Sequence, residues 1–437
     1  MEEQIKSFWQ SNIKPLFRKE ILNYKVETNL NRVRYVNFDN AATTSPFKFV
    51  ENTINQLMIG YGSVHRGSGQ KSIVTTDKYE HCREIIRKFV GASSDNYVIF
   101  TKNTTEAINN AAELFSKIPG KVLISDIEHS SNLLPWLKYN EIIQFKTNID
   151  GTFELNEIEN RFIENKDIKL ITITGSSNVT GYHPPINEIA KIAHKYNAKI
   201  FVDVCQLIPH EKVNILADTN LDHIDFIAFS GHKMYAPYGS GVLIGPKKFF
   251  DEIYPYQIGG GNLPYITRDL NIKRYKTVQA HDPGTPNAIG AIAIASSIKI
   301  IENLGYDKIK EYESRMASEI FEKLNKIKNI KIYISKERLG KVISFEIIGM
   351  DSKIVADILA KEYGIGVRAG SFCTYELLRK LKNISDEEDK NIASEVDNGN
   401  INVIPSLIRV SIGLSNQDRD ISRFIHAIDE ISRRNLK

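Results

Sequence analysis

Lys233 stands directly after a short apolar segment, FIAFS at 226–230, and follows Gly231 and His232. If this segment is a buried strand, the lysine lies just beyond the strand end, among polar neighbours. A lysine whose amine is partly desolvated can lose its proton and act as a Schiff-base nucleophile toward a carbonyl group. A single lysine in such a place is more often a solvated loop residue, so the assignment depends on its companions.

Asp203 and Gln206 follow a second apolar segment, AKIFVDV at 198–204. A carboxylate at the end of a strand can pair with a pyridine nitrogen and keep it protonated, which makes the ring an electron sink. Gln206 can then donate a hydrogen bond to an oxygen of the same ring. The structural alternative is that the Asp203 side chain only caps the next helix.

A third apolar segment, YVIFT at 97–101, leads into Asn103, Thr104 and Thr105. The residues that follow, EAINNAAELF, have apolar positions at helical spacing. Backbone N–H groups and two hydroxyls at the start of a helix suit a phosphate group. An ordinary threonine N-cap explains the same residues without any ligand.

Two further polar residues occupy equivalent positions. His129 comes after KVLIS at 121–125 and can stack on a planar cofactor or move protons, and Asn178 comes after IKLITIT at 168–174. A loop histidine satisfied by its neighbours is the alternative for His129. Because ligands of parallel sheets bind at the carboxyl ends of the strands, these segments predict one common site.

The elements that must position these residues follow from the same pattern. Short β-rich segments between about 95 and 245 alternate with stretches of helical period such as INEIAKIAHKYN at 186–197. Such alternation predicts βαβ units and a mainly parallel sheet covered by helices. The chain is therefore predicted to be an α/β protein.

After about residue 290 the pattern changes to two long helices, at 289–305 and 307–327, and then to strands and further helices. This change predicts a smaller α+β domain. The polar segment 381–403 predicts a surface loop or a short exposed helix. The predicted organisation is an N-terminal segment that packs on the small domain (1–30), a large domain (31–290) and a small C-terminal domain (291–437).

Composition excludes several classes of protein. The 437 residues are 42% hydrophobic and 25% charged, with a formal net charge of +4 at pH 7, and Lys and Arg are interleaved with Asp and Glu. Such a small net charge does not indicate a nucleic-acid partner. No apolar run reaches the roughly 18–20 residues that a membrane span needs, and the start has no apolar signal segment. We expect a cytoplasmic protein without a nucleic-acid or membrane partner.

The three cysteines, Cys82, Cys205 and Cys373, lie far apart and form no CxxC or His/Cys pattern of metal-site spacing. We therefore expect neither a disulfide framework nor a metal site. A lone cysteine in a reducing compartment is usually a small apolar residue, and this is our interpretation of Cys82 and Cys205.

Nine motifs occur in a defined order between about residues 35 and 415. They are NFDNAATT (37–44), SVHRG (63–67), NTTEAIN (103–109), EHSSN (128–132), SNVTG (177–181), DVCQ (203–206), SGHKMYAPYGSGVL (230–243), GTPN (284–287) and RAGSFC (368–373). Together they resemble the group II cysteine desulfurase and selenocysteine lyase family, whose members are class V, fold-type I enzymes that use pyridoxal 5'-phosphate (PLP). The resemblance implies a fold-type I PLP-dependent transferase, with a seven-stranded sheet in the large domain.

The resemblance also implies roles for single residues. Lys233 forms the Schiff base with PLP, and Asp203 pairs with the ring nitrogen. Thr285, in GTPN, reaches the phosphate of a partner subunit's cofactor, which implies a homodimer. The full implied cofactor-binding set is Thr104, Thr105, His129, Asn178, Asp203, Gln206, Ser230, His232, Lys233 and Thr285.

Three residues are implied to handle the substrate. Arg409 grips the substrate carboxylate, which its planar guanidinium suits, with Asn178 beside it. Cys373 takes sulfur from the substrate as a persulfide, and the positive charge of Arg368 favours the thiolate that this step needs. The catalytic set is then Lys233, Cys373 and His129, and the substrate-binding set is Arg409, Asn178 and Arg368.

The implied function is a PLP-dependent cysteine desulfurase that releases alanine from L-cysteine and passes sulfur to an acceptor protein, as iron–sulfur cluster assembly requires. One alternative is another class V enzyme, such as a carbon–sulfur lyase, a selenocysteine lyase, an aminotransferase or an epimerase. Another is a non-catalytic binding subunit, which the presence of Lys233 and Asp203 disfavours.

The chain departs from the family pattern near the predicted thiol. Ser371 and Phe372 stand where many members have two histidines, and Ser130 stands where a second histidine commonly follows His129. From Cys373 to the predicted substrate arginine there are 36 positions (409 minus 373), which is longer than usual in the family. A lid and a docking element for a sulfur acceptor are both open interpretations of the extra length.

Overall fold

The computed structural model of the chain describes residues 2–434. Its strands are, in chain order, β1 (Lys25–Glu27), β2 (Arg32–Arg34), β3 (Val36–Asn37), β4 (Asn96–Thr101), β5 (Lys121–Ser125), β6 (Ile142–Phe145), β7 (Ile168–Thr174), β8 (Lys199–Asp203), β9 (Phe226–Ser230), β10 (Gly241–Pro246), β11 (Tyr265–Ile266), β12 (Ile272–Lys273), β13 (Ile330–Ile332), β14 (Val342–Ile347), β15 (Ile365–Gly366), β16 (Arg368–Gly370) and β17 (Leu407–Ser411).

The α-helices of the described residues alternate with these strands. They are α1 (Glu2–Phe8), α2 (Lys19–Leu22), α3 (Lys48–Ile59), α4 (Gln70–Phe89), α5 (Thr104–Phe115), α6 (Leu134–Tyr139), α7 (Leu155–Glu164), α8 (Ile186–Lys195), α9 (Lys247–Glu252), α10 (Ala288–Leu304), α11 (Tyr306–Leu324), α12 (Ser352–Tyr363), α13 (Tyr375–Leu381), α14 (Asp386–Asp397) and α15 (Asp418–Arg434).

The central sheet has seven strands in the order β4-β10-β9-β8-β7-β5-β6. All of them are parallel except β10, which runs antiparallel to both of its neighbours, β4 and β9. The seven apolar segments found in the sequence are these seven strands. The predicted α/β class and mainly parallel seven-stranded sheet are therefore confirmed.

The apolar runs of the central strands are nearly continuous because both faces of the sheet are covered. Successive side chains of a strand point to opposite faces, so neighbours enter different cores. On β8, Ile200 and Val202 belong to one hydrophobic core and Phe201 belongs to the other. This double burial holds the carboxyl ends of β7, β8 and β9 in register, and the polar residues that follow them share one edge.

The C-terminal part contains a four-stranded antiparallel sheet in the order β13-β14-β17-β16. The predicted helices at 289–305 and 307–327 are α10 and α11. Helix α14 lies within the segment 381–403, has no buried residue and begins with a capping box formed by Ser385 and Glu388, as an exposed helix requires. The domain boundaries at residues 30 and 290 stay a prediction.

Among residues 2–434, no single helix is both long and apolar enough to cross a membrane. Helices α10 and α11 pass a test of length and composition only as a pair, and the pair is bent by 82°. Most residues of α10 are buried in the protein core.

Candidate active site

A cavity of about 520 Å³ lies at the carboxyl edge of the central sheet. The loops after β4, β5, β7, β8 and β9 line it, together with β16, the loop that follows β16, and one residue of β17. The predicted residues that line this cavity are Thr104, Thr105, His129, Asn178, Asp203, Gln206, Ser230, His232, Lys233, Arg368, Cys373 and Arg409. The structure thus brings together every predicted site residue except Thr285.

Asp203 ends β8 and is buried at the floor of the cavity. Its Oδ1 accepts a hydrogen bond from the backbone N–H of Cys205 at 3.0 Å, and its Oδ2 has no hydrogen-bond partner among residues 2–434. Burial raises the pKa of this carboxyl, and the nearby ammonium of Lys233 opposes the rise. A turn rather than a helix follows the strand, so the helix-capping alternative for Asp203 is wrong.

The start of α5 forms one wall of the cavity. Its N-cap is Asn103, whose side chain accepts from the N–H of Glu106 at 2.9 Å, so the threonine N-cap alternative is wrong. Thr104 is buried, and its N–H and hydroxyl contact the hydroxyl of Ser230 at 2.8 and 2.7 Å. The hydroxyl of the exposed Thr105 lies 2.8 Å from that of Ser131.

A glycine lets β10 pass close to this helix start. A Cβ atom at Gly241 would lie 2.6 Å from the backbone carbonyl carbon of Asn103, a distance that real Cβ atoms do not show. Strand β10 therefore runs directly against the first turn of α5. The hydroxyls and the helix N-terminus remain gathered at one end of the cavity, where an anion is favoured.

Both histidines of the cavity are neutral near pH 7. Burial and the charge of Lys233 lower the pKa of His129 to about 4, and the same two causes lower the pKa of His232 to about 4. His129 Nδ1 accepts from the backbone N–H of Ser131 at 3.1 Å, so the ring proton is on Nε2. A neutral imidazole of this kind can stack on a planar ring.

The segment NFDNAATT closes the cavity from the N-terminal side. Gln206 donates its side-chain amide to the carbonyl oxygen of Ala41 at 2.8 Å, and the hydroxyl of Thr44 donates to the carbonyl oxygen of His232 at 3.1 Å. One amide hydrogen of Gln206 is thus already used, and the other stays available for the ring oxygen that the prediction assigns to it.

The thiol of Cys373 is exposed at the mouth of the cavity, in the loop after β16. Phe372 and Cys373 have φ angles of 55° and 57°, a left-handed conformation that is costly for residues with a side chain. Ser130 compensates by donating its backbone N–H and its hydroxyl to the carbonyl oxygen of Cys373, at 2.7 and 2.9 Å.

Asn178 holds the same loop from the other side. Its amide donates to the carbonyl oxygen of Phe372 at 2.7 Å, and its Oδ1 accepts from the hydroxyl of Thr374 at 2.9 Å. The backbone carbonyl oxygen of Asn178 accepts from Arg409 at 3.2 Å. Asn178 therefore links the cysteine loop to the predicted substrate arginine, a connection that was not apparent in the sequence.

Arg409 is buried beside this loop, with its guanidinium carbon 4.9 Å from the centre of the Phe372 ring. Its Nε is buried and has no hydrogen-bond partner among the described residues. Asp39 accepts from Arg409 at 3.2 Å and lies 2.9 Å from the half-exposed Arg368. Sequence reasoning quoted the motif that contains Asp39 but assigned it no role.

A second residue missed from the sequence is Glu128, which precedes His129 and is buried. Its carboxyl accepts from the side chain of Asn132 at 2.6 Å, from the N–H of Thr174 at 3.0 Å, and from the hydroxyl of Ser125. Burial nevertheless raises the pKa of Glu128 to about 8. The group joins the carboxyl ends of β5 and β7, and its position next to a motif histidine was the available signal.

Thr285 is the one predicted residue that lies elsewhere. It is exposed and lines a separate cavity of about 220 Å³, together with Glu106 and Gln257. A role at the cofactor phosphate of its own subunit is therefore excluded by position. The prediction that it acts in a partner subunit stays a prediction.

The cavity fits PLP by the chemistry of its groups. The Asp203 carboxyl has one unbonded oxygen, and the Lys233 amine has no hydrogen-bond partner among residues 2–434. Hydroxyls and a helix N-terminus are present for a phosphate. Arg409 retains an unpaired Nε for a carboxylate, and the two buried cysteines, Cys82 and Cys205, leave Cys373 as the exposed thiol.

Comparison with known proteins agrees with this geometry. The family model for aminotransferase class-V matches residues 36–424. A protein of Halalkalibacterium halodurans named probable cysteine desulfurase is 32% identical over 82% of this chain and 88% of the relative. A cysteine desulfurase of Escherichia coli is 28% identical over 90% of this chain and 92% of the relative.

A solved structure gives the same result. The apo structure of a cysteine desulfurase from Thermococcus onnurineus NA1 matches with a TM-score of 0.80 and 29% identity, and the match covers 91% of this chain and 95% of that one. The sequence match, the fold and the residues at the carboxyl edge of the sheet agree. The chain therefore belongs to the aminotransferase class-V family and is a relative of the cysteine desulfurases.

Proposed function

We propose that the protein is a PLP-dependent cysteine desulfurase that releases alanine from L-cysteine and passes the sulfur to an acceptor. One observation carries this proposal. A single cavity holds an unbonded lysine amine, a buried carboxylate and an exposed cysteine thiol, at Lys233, Asp203 and Cys373. The named relatives support the same reaction.

PLP, when bound, supplies an electron sink for bond breaking at the α-carbon of the substrate. Lys233 holds the cofactor and afterwards takes the α-proton on its amine. Asp203 keeps a proton at the pyridine nitrogen, because its free oxygen is a buried acceptor. His129, neutral and protonated on Nε2, covers the ring without adding charge.

The substrate is oriented by its carboxylate. Arg409 offers an unpaired Nε in a buried position, where a charge-assisted hydrogen bond is strong. Asp39 and the carbonyl oxygen of Asn178 hold the guanidinium in place. The sulfur of the bound substrate can then approach the loop that carries the acceptor thiol.

Cys373 performs the sulfur transfer. Its thiolate attacks the substrate sulfur, a sulfur–sulfur bond forms as the carbon–sulfur bond breaks, and a persulfide remains on the protein. The electrostatic coupling between Arg409 and Cys373 places a positive charge near the thiol. Because the thiol is exposed, the persulfide is within reach of a second protein.

The decisive experiment supplies L-cysteine and a reductant to the purified PLP-loaded protein. Alanine and sulfide should form in equal amounts, and mass spectrometry should detect one extra sulfur on Cys373 before the reductant is added. Cys373→Ser should abolish both sulfur signals and leave the cofactor spectrum intact. Absence of alanine from the wild-type protein would refute the proposal, and full turnover by the variant would indicate another class V reaction.

We also propose that the protein is a homodimer in which Thr285 completes the partner's site. The exposed position of Thr285, outside the cavity of its own chain, supports this arrangement. Thr285→Ala should weaken PLP binding without changing the dimer mass measured by light scattering. A monomeric wild-type protein with full PLP affinity would contradict it.

A cytoplasmic location is proposed on the evidence of the cysteines. Cys82, Cys205 and Cys373 are all unpaired, and the proposed chemistry needs a reduced thiol at Cys373. Fractionation of cells that express the chain should recover it with cytoplasmic markers, and recovery with an oxidising compartment would contradict the assignment.

A further inference from the structure

Two histidines and an aspartate meet at the opposite edge of the central sheet, away from the proposed active site. His194 lies near the end of α8, and His223 and Asp225 precede β9. Their ring nitrogens and carboxylate oxygens all lie within 4.8 Å of one another. All three side chains are at least nine-tenths buried or close to it, with exposures of 10%, 11% and 0%.

The hydrogen bonds of His194 do not balance for a neutral ring. Its Nδ1 lies 2.7 Å from the carbonyl oxygen of Leu221, and its Nε2 lies 2.8 Å from Asp225 Oδ2. Both partners are acceptors, whereas a neutral imidazole carries only one N–H. The ring must therefore hold two protons, or its Nε2 must face something other than the carboxylate alone.

His223 has the same problem. Its Nδ1 lies 2.6 Å from the carbonyl oxygen of Asn220, and its Nε2 lies 3.4 Å from Asp225 Oδ1. The two rings stack with centroids 4.1 Å apart and an interplanar angle of 19°. Two doubly protonated rings in this arrangement would place stacked cations around one carboxylate, which the ammonium of Lys199 already contacts at 2.7 Å.

A metal ion removes this conflict. Metal-bound histidines commonly donate their second ring N–H to a backbone carbonyl, which fixes the tautomer that leaves the other nitrogen bare. His194 and His223 both have that arrangement. Ligands about 2.1 Å from a tetrahedral zinc ion are roughly 3.3 Å apart, close to the two nitrogen–oxygen distances of 2.8 and 3.4 Å.

We propose that His194, His223 and Asp225 bind a divalent transition-metal ion, of which Zn²⁺ is the first candidate, with water as the fourth ligand. Imidazole nitrogen and carboxylate oxygen are ligands that zinc accepts. The N–H of Ile200 donates to Asp225 Oδ2 at 3.0 Å and orients the carboxylate. Lys199 competes for the same carboxylate, but its side chain is 51% exposed and can turn into solvent.

A second His/Asp/Glu group shows what an occupied cation position looks like in this protein. His65, Glu80 and Asp282 also lie within 4.8 Å of one another. There, the guanidinium of Arg83 contacts both carboxylates and supplies the positive charge. That group therefore has no need of a metal.

The proposed metal would clamp secondary structure rather than take part in the reaction. It would join the end of α8 to the residue before β9, beside the first residue of β8. The same strand β8 ends at Asp203 in the proposed active site. Binding should therefore raise thermal stability and leave turnover at 25 °C unchanged.

The test compares untagged PLP-loaded wild-type protein with His194→Asn/His223→Asn. Asparagine keeps a donor for the backbone carbonyls and lacks the Nε2 ligand. After incubation with ZnCl₂ and gel filtration, the wild type should retain about one zinc per chain more than the double variant. X-ray absorption should show a nitrogen and oxygen shell without sulfur, and zinc should raise Tm only in the wild type.

Matched controls separate this site from other zinc ligands. His426→Asn, at an exposed position of α15, should bind zinc as the wild type does. Lys199→Met removes the competing ammonium without removing a ligand, so its zinc affinity should rise several-fold. Equal zinc retention by wild type and double variant, or a sulfur shell at Cys373, would overturn the assignment. An unchanged affinity in Lys199→Met would overturn the proposed competition for Asp225.

Discussion

The side-chain amide of Asn178 donates a hydrogen bond to the carbonyl oxygen of Phe372 at 2.7 Å. This contact joins the loop after β7 to the loop that exposes the proposed sulfur-accepting thiol. The neighbouring hydrogen bond from the hydroxyl of Thr374 to Asn178 Oδ1, at 2.9 Å, makes the junction two-sided. The position of the thiol therefore depends on a residue almost two hundred positions away in the sequence.

Asn178→Ala should loosen this junction. The buried carbonyl of Phe372 and hydroxyl of Thr374 lose their partner, which costs about 1–3 kcal/mol of stability. We expect persulfide formation on Cys373 in a single turnover to slow at least about tenfold, while the cofactor spectrum is retained. Asn23→Ala removes an exposed amide that bonds a helical carbonyl and is the matched control. Equal single-turnover rates in both variants would contradict this role.

Arg409→Lys tests the proposed carboxylate site. Lysine keeps the charge but loses the planar fork and the unpaired Nε, so a charge-assisted hydrogen bond worth about 1.5–3 kcal/mol is lost. KM for L-cysteine should rise about 10- to 100-fold, and kcat should change less. Arg338→Lys, at an exposed arginine paired with Asp150, should leave both constants unchanged. A fall in kcat at constant KM would show that the residue acts on the chemistry instead.

Glu128→Gln tests the buried carboxyl beneath the site. The pKa of Glu128 is raised to about 8, above that of an unfolded glutamate, so the native state retains a proton that the unfolded state loses. Stability from this group is complete below about pH 4 and falls as the pH rises toward 8. Each pKa unit corresponds to about 1.4 kcal/mol.

Denaturant unfolding at pH 5 and pH 8 measures the effect. Relative to the glutamine variant, the wild-type protein should lose at least about 1.4 kcal/mol between these two pH values. Parallel pH curves for the two proteins would show that the carboxyl is already ionised at pH 5. Enzyme activity need not be measured for this comparison.

Alkylation should distinguish the three cysteines without any assay of function. Cys82 and Cys205 are buried, and burial raises the pKa of Cys82 to about 12, so neither supplies an accessible thiolate. Iodoacetamide at pH 8 should modify Cys373 alone in the native protein and all three residues in guanidinium chloride. Rapid native modification of Cys205, detected by peptide mass spectrometry, would contradict the packing.

Local patterns were sufficient to predict the central sheet and most of its polar edge. Each of the seven strands is a short apolar run, and the polar residue after it lies at the carboxyl end by topology alone. Asp203, Asn178 and Lys233 were identified in this way and line one cavity. Such information is contained in a few consecutive residues.

Contacts between distant segments could not be predicted in the same way. Asp39 meets Arg409 across 370 positions, and only the paired fold brings the two together. His194 and Asp225 meet because α8 and the loop before β9 pack at one end of the sheet. The choice of Asn103 over the next two threonines as N-cap depends on backbone angles that adjacent candidates share in the sequence.

The antiparallel strand β10 has a consequence for synthesis of the chain. β4 pairs only with β10 in the central sheet, and its last residue, Thr101, pairs with Gly241, 140 positions later (241 minus 101). At about 5–20 residues per second, the ribosome needs about 7–28 s to make the intervening segment. During this time an apolar strand waits without its partner, and the helix start at Thr104 waits for Ser230. The nascent chain therefore acquires its anion-binding end late, after more than half of it has been translated.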